Sequence, residues 1–260
     1  MNKFRSFSNL TVSLTYLLIF IGGLVRVSGA GMGCPDWPKC FDRWIPPTSL
    51  EQLPDHIDPA LFNIVLAWIE YCNRLFGALV GLCITITLLL ALKYYYKNPK
   101  IKWSVFIAFI LTLVQGWLGS VLVHTVLNPI TITLHLLLAL IIVLLLIYAS
   151  QTSFYLQFPN SEKQSHYNPG LKTHFSILLL TLLLEVILGT EIRGGLEMIR
   201  KENPIVDSQF LLTMLGPFKY LHTLFGILIA LISSYLLFIL VKKGKNPSVL
   251  IKVTSALIVF

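Results

Sequence analysis

Six stretches of this chain stay apolar for roughly twenty residues each: 10–30, 65–92, 103–124, 131–149, 174–192 and 219–241. A helix that crosses a bilayer needs about 20 such residues. Hydrocarbon offers no partner to backbone polar groups, so runs of this length are read as membrane-spanning helices. Composition closes off the alternatives. The chain is 55% hydrophobic and 12% charged, with mean hydropathy +0.76, where a soluble domain carries about 25% charged residues. A water-soluble fold of this size cannot hide so much apolar surface, and a disordered chain lacks it. The expected class is an all-α integral membrane protein whose solvent is the lipid bilayer. The first span is too long for the apolar part of a signal peptide, and no small-residue cleavage site follows it. Its mid-span Gly22 and Gly23 suit close helix packing. A seventh apolar stretch opens near Leu250 and ends in Ala256-Leu-Ile-Val-Phe260. A terminal carboxylate inside hydrocarbon is costly, so the sequence is expected to continue past Phe260 in a longer protein.

Charge placement orients these spans. With a cytoplasmic N-terminus, the inner segments are 1–9, 93–102, 150–173 and 242–252. They hold 12 of the 20 basic residues and only Glu162 of the 12 acids, giving +11 inside and −3 elsewhere, which together make the observed +8. This is the positive-inside pattern. The basic excess therefore reports topology, and nucleic acid is excluded as a partner. Two outer segments are long. The first, 31–64, is rich in Trp and Pro (Trp37, Trp44, Pro46, Pro47, Pro54, Pro59) and is expected to lie against the membrane surface. The second, 193–218, carries mixed charge.

The chain repeats itself. Asn73-Arg-Leu-Phe-Gly-Ala-Leu-Val80 matches His222-Thr-Leu-Phe-Gly-Ile-Leu-Ile229 at an offset of 149. Ile101-Lys-Trp-Ser matches Ile251-Lys-Val-Thr at 150, and Gly22…Arg26 matches Gly189…Arg193 at 167. The longer first outer loop accounts for the larger offset. The expected architecture is two pseudosymmetric four-helix halves, 1–150 and 151–260, the second incomplete in this sequence. Span four carries His135, and the offset places its counterpart near position 284 or 285, on an eighth helix.

Ionisable groups inside spans mark function by default. His135 and His222 open spans four and six from the outer face, at related depths. Neutral imidazole is a strong haem-iron ligand; a histidine bonded to a loop or water is the plainer reading. Gly77 and Gly226 follow Asn73 and His222 by four residues, on the same helix face. They suit either a flat macrocycle against the backbone or a close helix contact. Glu70, Asn73 and Arg74 share one side of span two, where Glu70–Arg74 reads as an ion pair or as a carboxylate beside a reacting centre. Arg26 and Arg193 end spans one and five on the outer side and suit carboxylates such as haem propionates, or lipid headgroups. Glu185 lies inside span five, and Gln115 occupies the comparable place in span three. A polar helix–helix contact is the first reading of both. Cys34 and Cys40 flank five residues of the first outer loop and form either a disulfide or a labile redox pair; zinc lacks ligands there, although His56 is in the same loop. Cys72 and Cys83 read as small apolar residues. His124 stands near the mouth of the His135 site, while His166 and His174 are on the inner side. The sequence has no phosphate-binding loop, dinucleotide fingerprint or serine-hydrolase elbow.

The stretch Gly22-Gly-Leu-Val-Arg-Val-Ser-Gly-Ala-Gly-Met-Gly-Cys-Pro-Asp-Trp-Pro-Lys-Cys40, with Trp68-Ile-Glu-Tyr-x-x-Arg74, Gln115-x-x-Leu-Gly119 and His135-Leu-x-x-Ala139, resembles the haem A synthase family, the cytochrome oxidase assembly proteins. The resemblance covers nearly the whole chain. It implies eight helices in two halves and oxidation of the C8 methyl of haem O to a formyl group, giving haem A. It implies substrate haem O in the N-terminal half and haem b as cofactor in the C-terminal half, ligated by histidines of helices two, four, six and eight. Carried over, His135 and His222 are iron ligands. Glu70 is the helix-two carboxylate that moves protons, Arg26 and Arg193 hold propionates, and Cys34 and Cys40 are the loop cysteine pair. It further implies a bacterial inner-membrane location with haem sites toward the outer face, haem O synthase as a partner, an electron-transfer partner, and a homo-oligomer as an assembly to test. This sequence departs from the pattern at the helix-two ligand, which is Asn73. His135 then holds the first haem alone, or His124 or water takes the other side, and a five-coordinate or water-ligated iron is expected. A non-enzymatic membrane cytochrome or haem carrier is the alternative, and a transporter with a polar site at Glu185 is a third reading.

Overall fold

A computed structural model describes residues 3–125, 127–159, 169–202 and 213–243. Among them the architecture is all-α: α1 Lys3–Val27, α2 Ile64–Tyr95, α3 Pro99–His124, α4 Pro129–Gln157, α5 Pro169–Glu202 and α6 Phe218–Lys243. Among the described residues α1, α2, α3, α4 and, over Phe218–Leu236, α6 are long and apolar enough to cross a membrane. At 1.5 Å per residue a 25-residue helix is about 38 Å long, against a hydrocarbon core of about 30 Å. The protein is an all-α, multi-pass integral membrane protein. The seventh span expected near Leu250 lies outside the described residues.

The helix starts follow from the sequence. Asn63, Asn98 and Asn128 each cap a helix, their side-chain oxygens accepting backbone N–H groups of the first turn. At α3 and α4 the cap is followed by proline, whose fixed φ and missing N–H suit the first helical position. Boundaries differ from the expected spans where apolarity and helicity part company. α1 stops at Val27 rather than near 30, because Gly29 turns the chain at φ +79°. α4 runs on to Gln157, eight residues past the expected 149, until Phe158-Pro159 disfavours further helix. α5 extends to Glu202, ten residues into the expected outer segment, because Leu196, Glu197, Met198, Arg200 and Lys201 are good helix formers.

The chain divides into two compact units, residues 1–165 and 166–260. In the first, α1 packs on α2 and α4, and α3 packs on α2 and α4, which closes a four-helix ring with α2 and α4 on its diagonal. At the end where α1 begins, Phe4, Leu88, Ala91, Ile101, Val105 and Ala149 form one buried cluster, so neighbouring helices run antiparallel. Val80, Ile84, Ala108, Ile142 and Leu146 fill the middle. Polar side chains tie the helices together here: Thr11 Oγ1 to Thr87 Oγ1 at 3.0 Å, and Ser150 donating to Asn9 Oδ1 at 2.5 Å. Such bonds contribute about 0.6 kcal/mol each within membranes. Thr11→Val is therefore expected to lower the unfolding free energy in detergent by under about 1 kcal/mol; a loss of several would mean that this bond organises the bundle.

At the opposite end, segment 28–63 folds over the bundle with a core of its own. Cys34, Cys40, Phe41 and Ala67 are buried there, backed by Leu53, Ile57, Phe62 and Tyr71. In the second unit, α5 packs on α6.

Candidate functional site

The loop is fastened to α2 by two side chains one helical turn apart. Glu70 is 5% exposed. Its Oε2 accepts the backbone N–H of Cys34 at 2.8 Å, and its Oε1 accepts Arg74 Nε at 3.1 Å and Nη2 at 2.5 Å. The Arg74 guanidinium then spends its other N–H groups on the loop, donating to the carbonyls of Asp36 and Lys39 at 2.8 Å each and of Cys34 at 3.4 Å. Cys34 and Cys40 are joined in a disulfide across these residues. Within the loop, Phe41 and Asp42 adopt positive φ (55° and 59°), a conformation non-glycine residues rarely take. The carboxylate of Asp36 holds both, accepting their N–H groups at 2.6 and 2.9 Å. His56 pairs with Asp42 at 2.9 Å in solvent. No cluster of three or more His, Cys, Asp or Glu side chains able to hold a bare metal ion occurs among the described residues.

Gly33 is where the loop crosses α2. A Cβ there would run into the carbonyl of Leu66 and lie 2.8 Å from the Ala67 nitrogen. Backbone cannot yield as a flexible side chain does. Gly33→Ala is expected to destabilise the loop by about 1–3 kcal/mol, the usual cost of forced overpacking, and to speed alkylation of Cys34 and Cys40 under mild reductant. Wild-type protection would show that the loop can lift without loss.

Beneath the loop the bundle changes character. Asn73 lies on α2 and His135 on α4, the diagonal pair of the ring; Gln115 lies on α3 between them. Gln115 Nε2 donates to the backbone carbonyl of His135 at 2.7 Å. Three buried polar atoms here have no hydrogen-bond partner: Asn73 Oδ1, Gln115 Oε1 and His135 Nδ1. Leaving each such atom unpaired costs about 1–3 kcal/mol. One helical turn from Asn73, away from the loop, and one turn from Gln115, toward it, a Cβ added at Gly77 or Gly119 would meet no atom within 4 Å. An imidazole, two amide oxygens and two glycines facing open space, on three helices of one ring, fit a flat polar-edged ligand better than a packed core.

The remaining expected residues are distributed as follows. Arg26 sits half-buried in the last turn of α1. His124 is exposed, its Nδ1 turned back on the Ser120 carbonyl of its own helix at 2.8 Å. Arg193 is exposed on α5. Cys83 is buried and Cys72 exposed. In the second unit, His222 Nδ1 lies 2.9 Å from Glu185 Oε1, close enough to pair although off the line of a straight hydrogen bond. Gly226 therefore faces a side chain rather than open space, its Cβ position 3.2 Å from Glu185 Oε1. The equal spacing of Gly77 and Gly226 thus hides two environments. Sequence reasoning missed Asp36, Gly33 and the Glu185–His222 pair. Gly33 and Asp36 stand in the Gly22–Cys40 stretch that carries the family resemblance, with no structural role legible there, and the last left a glycine four residues after each partner.

Fold and site define a helical membrane protein whose first unit holds an imidazole within its four-helix ring and carries a disulfide-closed loop. The sequence profile of the cytochrome oxidase assembly protein family matches residues 5–260, and the chain belongs to that family. It is 38% identical over 149 residues to a protein of Shewanella oneidensis named heme A synthase, covering 54% of this chain and 43% of that protein. It is 30% identical over 110 residues to the heme A synthase of Bacillus cereus strain 03BB102, covering 42% of this chain and 30% of that one. The matches thus span less than half the length of these curated relatives. No solved structure matches the chain.

Proposed function

We propose that this protein acts in haem A synthesis, oxidising the C8 methyl of haem O to a formyl group for terminal oxidase assembly. Family membership and the relatives' names support the reaction class. The observation that carries it to this chain is the buried, unpartnered Nδ1 of His135 on α4, the helix diagonal to α2 in the first unit's ring. In this reading haem O is the substrate of the first unit and haem b the cofactor of the second. Bound haem b supplies the one-electron chemistry that side chains lack.

The chain's own residues bind and orient. His135 offers a ring nitrogen to the first haem and His222 to the second. Gly77 and Gly119 leave room for the ring plane to approach the backbone. Asn73 stands where a second imidazole is expected and offers only an amide, a poor iron ligand, so one face of the first site stays open to water or a reactant. Arg26 and Arg193 hold propionates, as arginine forks match carboxylates. Glu70 fastens the loop that keeps water from the haem edge. Its further role in moving protons requires it to leave Arg74 or Cys34 N–H, since both oxygens are engaged. We place the sites toward the outer face of a bacterial inner membrane, with haem O synthase and an electron donor or acceptor as partners; a homo-oligomer is part of the same proposal.

The test is pyridine hemochrome and chromatography of haem extracted from cells that make haem O and lack their own synthase. Haem A appearing only with this protein supports the proposal. Bound but unaltered haem makes it a cytochrome or carrier, and absence of haem favours the transporter reading.

A further inference from the structure

The second unit contains a reciprocal arrangement of two polar side chains and two glycines. On α5, Glu185 and Gly189 are one turn apart; on α6, His222 and Gly226 are one turn apart. Each side chain rests on the other helix's glycine. A Cβ at Gly189 would lie 3.1 Å from His222 Cε1, and a Cβ at Gly226 would lie 3.2 Å from Glu185 Oε1. Both distances are tighter than ordinary contact, so the glycines set where the imidazole and the carboxylate can sit. Between them the Nδ1–Oε1 separation is 2.9 Å. His222 Nδ1 is buried while the side chain as a whole is 40% exposed, and Cε1 is the ring atom nearest the Gly189 Cβ position, with Nδ1 and Nε2 both 3.8 Å from it. Glu185 is only 19% exposed, and its second oxygen has no partner.

A carboxylate held inside a span is costly, and a plain helix contact needs no charge. Ligating histidines usually donate their other ring N–H to such a group, which fixes tautomer and ring orientation and makes the imidazole a stronger donor. Resting on the haem-binding reading of His222, we propose that Glu185 is its positioning residue: with Oε1 2.9 Å from Nδ1, a small turn of the ring brings the Nδ1–H into line, and Nε2 then carries the lone pair presented to iron. The first unit offers a neutral parallel, since Gln115, in the matching Gln-x-x-Leu-Gly frame, reaches only the backbone of His135. Charge beside His222 and its absence beside His135 predict that the two haems are tuned differently. Ferric iron is favoured at the second site, because a more basic imidazole stabilises the higher oxidation state.

The experiment uses the full chain loaded with haem b, in wild type, His222→Ala, Glu185→Leu and Glu185→Gln forms. It measures haem retention against a competing apoprotein and the midpoint potential of each haem. Glu185→Leu is expected to weaken retention at the His222 site by about 10–100-fold, the usual cost of a lost outer partner, and to raise that site's potential. Glu185→Gln keeps an acceptor without charge. It is expected to restore most retention while the potential stays raised, a split that a merely structural contact would not produce. Unchanged retention in His222→Ala overturns the haem-ligand reading and this inference with it. Haem lost in His222→Ala but an unmoved potential in both Glu185 variants overturns this inference alone. If Glu185→Leu does not fold, the potential of Glu185→Gln decides.

Discussion

Replacing Arg74 with alanine is expected to be the most damaging single change in the first unit. Arg74 and Glu70 side chains are 16% and 7% exposed, so the pair is effectively buried. Removing one partner of a buried pair costs about 3–5 kcal/mol, because the other charge is left uncompensated. Here the deletion also strips donors from the carbonyls of Cys34, Asp36 and Lys39. The loop then loses its main attachment to α2. The expected result is a lower unfolding temperature in detergent and rapid alkylation of Cys34 and Cys40 at reductant levels the wild type resists. Arg74→Lys is not expected to rescue, since a single ammonium cannot span a carboxylate and three carbonyls as the guanidinium fork does. Glu70→Gln is expected to be milder than Arg74→Ala, because the amide oxygen still accepts a hydrogen bond and no bare charge remains. Wild-type stability and thiol protection in Arg74→Ala would falsify the clamp.

His135→Ala is expected to have the largest effect on ligand binding. If His135 is the first haem's only protein ligand, its loss weakens retention by more than the roughly 100-fold that a lost outer-shell partner can cost. His124→Ala is expected to leave retention unchanged, because His124 is exposed and bonded to its own helix. Asn73→His supplies the missing imidazole on the diagonal helix and is expected to convert the first site's spectrum to six-coordinate low-spin. Haem content by pyridine hemochrome, with optical and EPR spectra, separates these outcomes. A purely low-spin spectrum in the wild type, unaltered by Asn73→Ala and lost in His124→Ala, would transfer the open face of the site to His124.

The expected spans and observed helices agree in order because long apolar runs leave a chain in lipid one solution, a helix that satisfies its own backbone. Boundaries agree less well. They depend on φ at Gly29, on Pro159, and on polar helix formers after Arg193, none of which hydropathy weighs. Glu70 and Arg74 were legible as an i, i+4 pair. Their grip on residues 34–39 was not, because it depends on where a loop some 35 residues earlier in the chain comes to rest.

What the sequence determined by itself is the class of molecule and the order of its apolar helices, both set by local composition and spacing. Tertiary structure alone decided that the two cysteines are joined, that Asp36 and Arg74 hold the loop between them, and that Gly77 faces open space while Gly226 faces Glu185. Those outcomes rest on which helix faces meet, and identical spacing along a chain carries no record of what stands opposite.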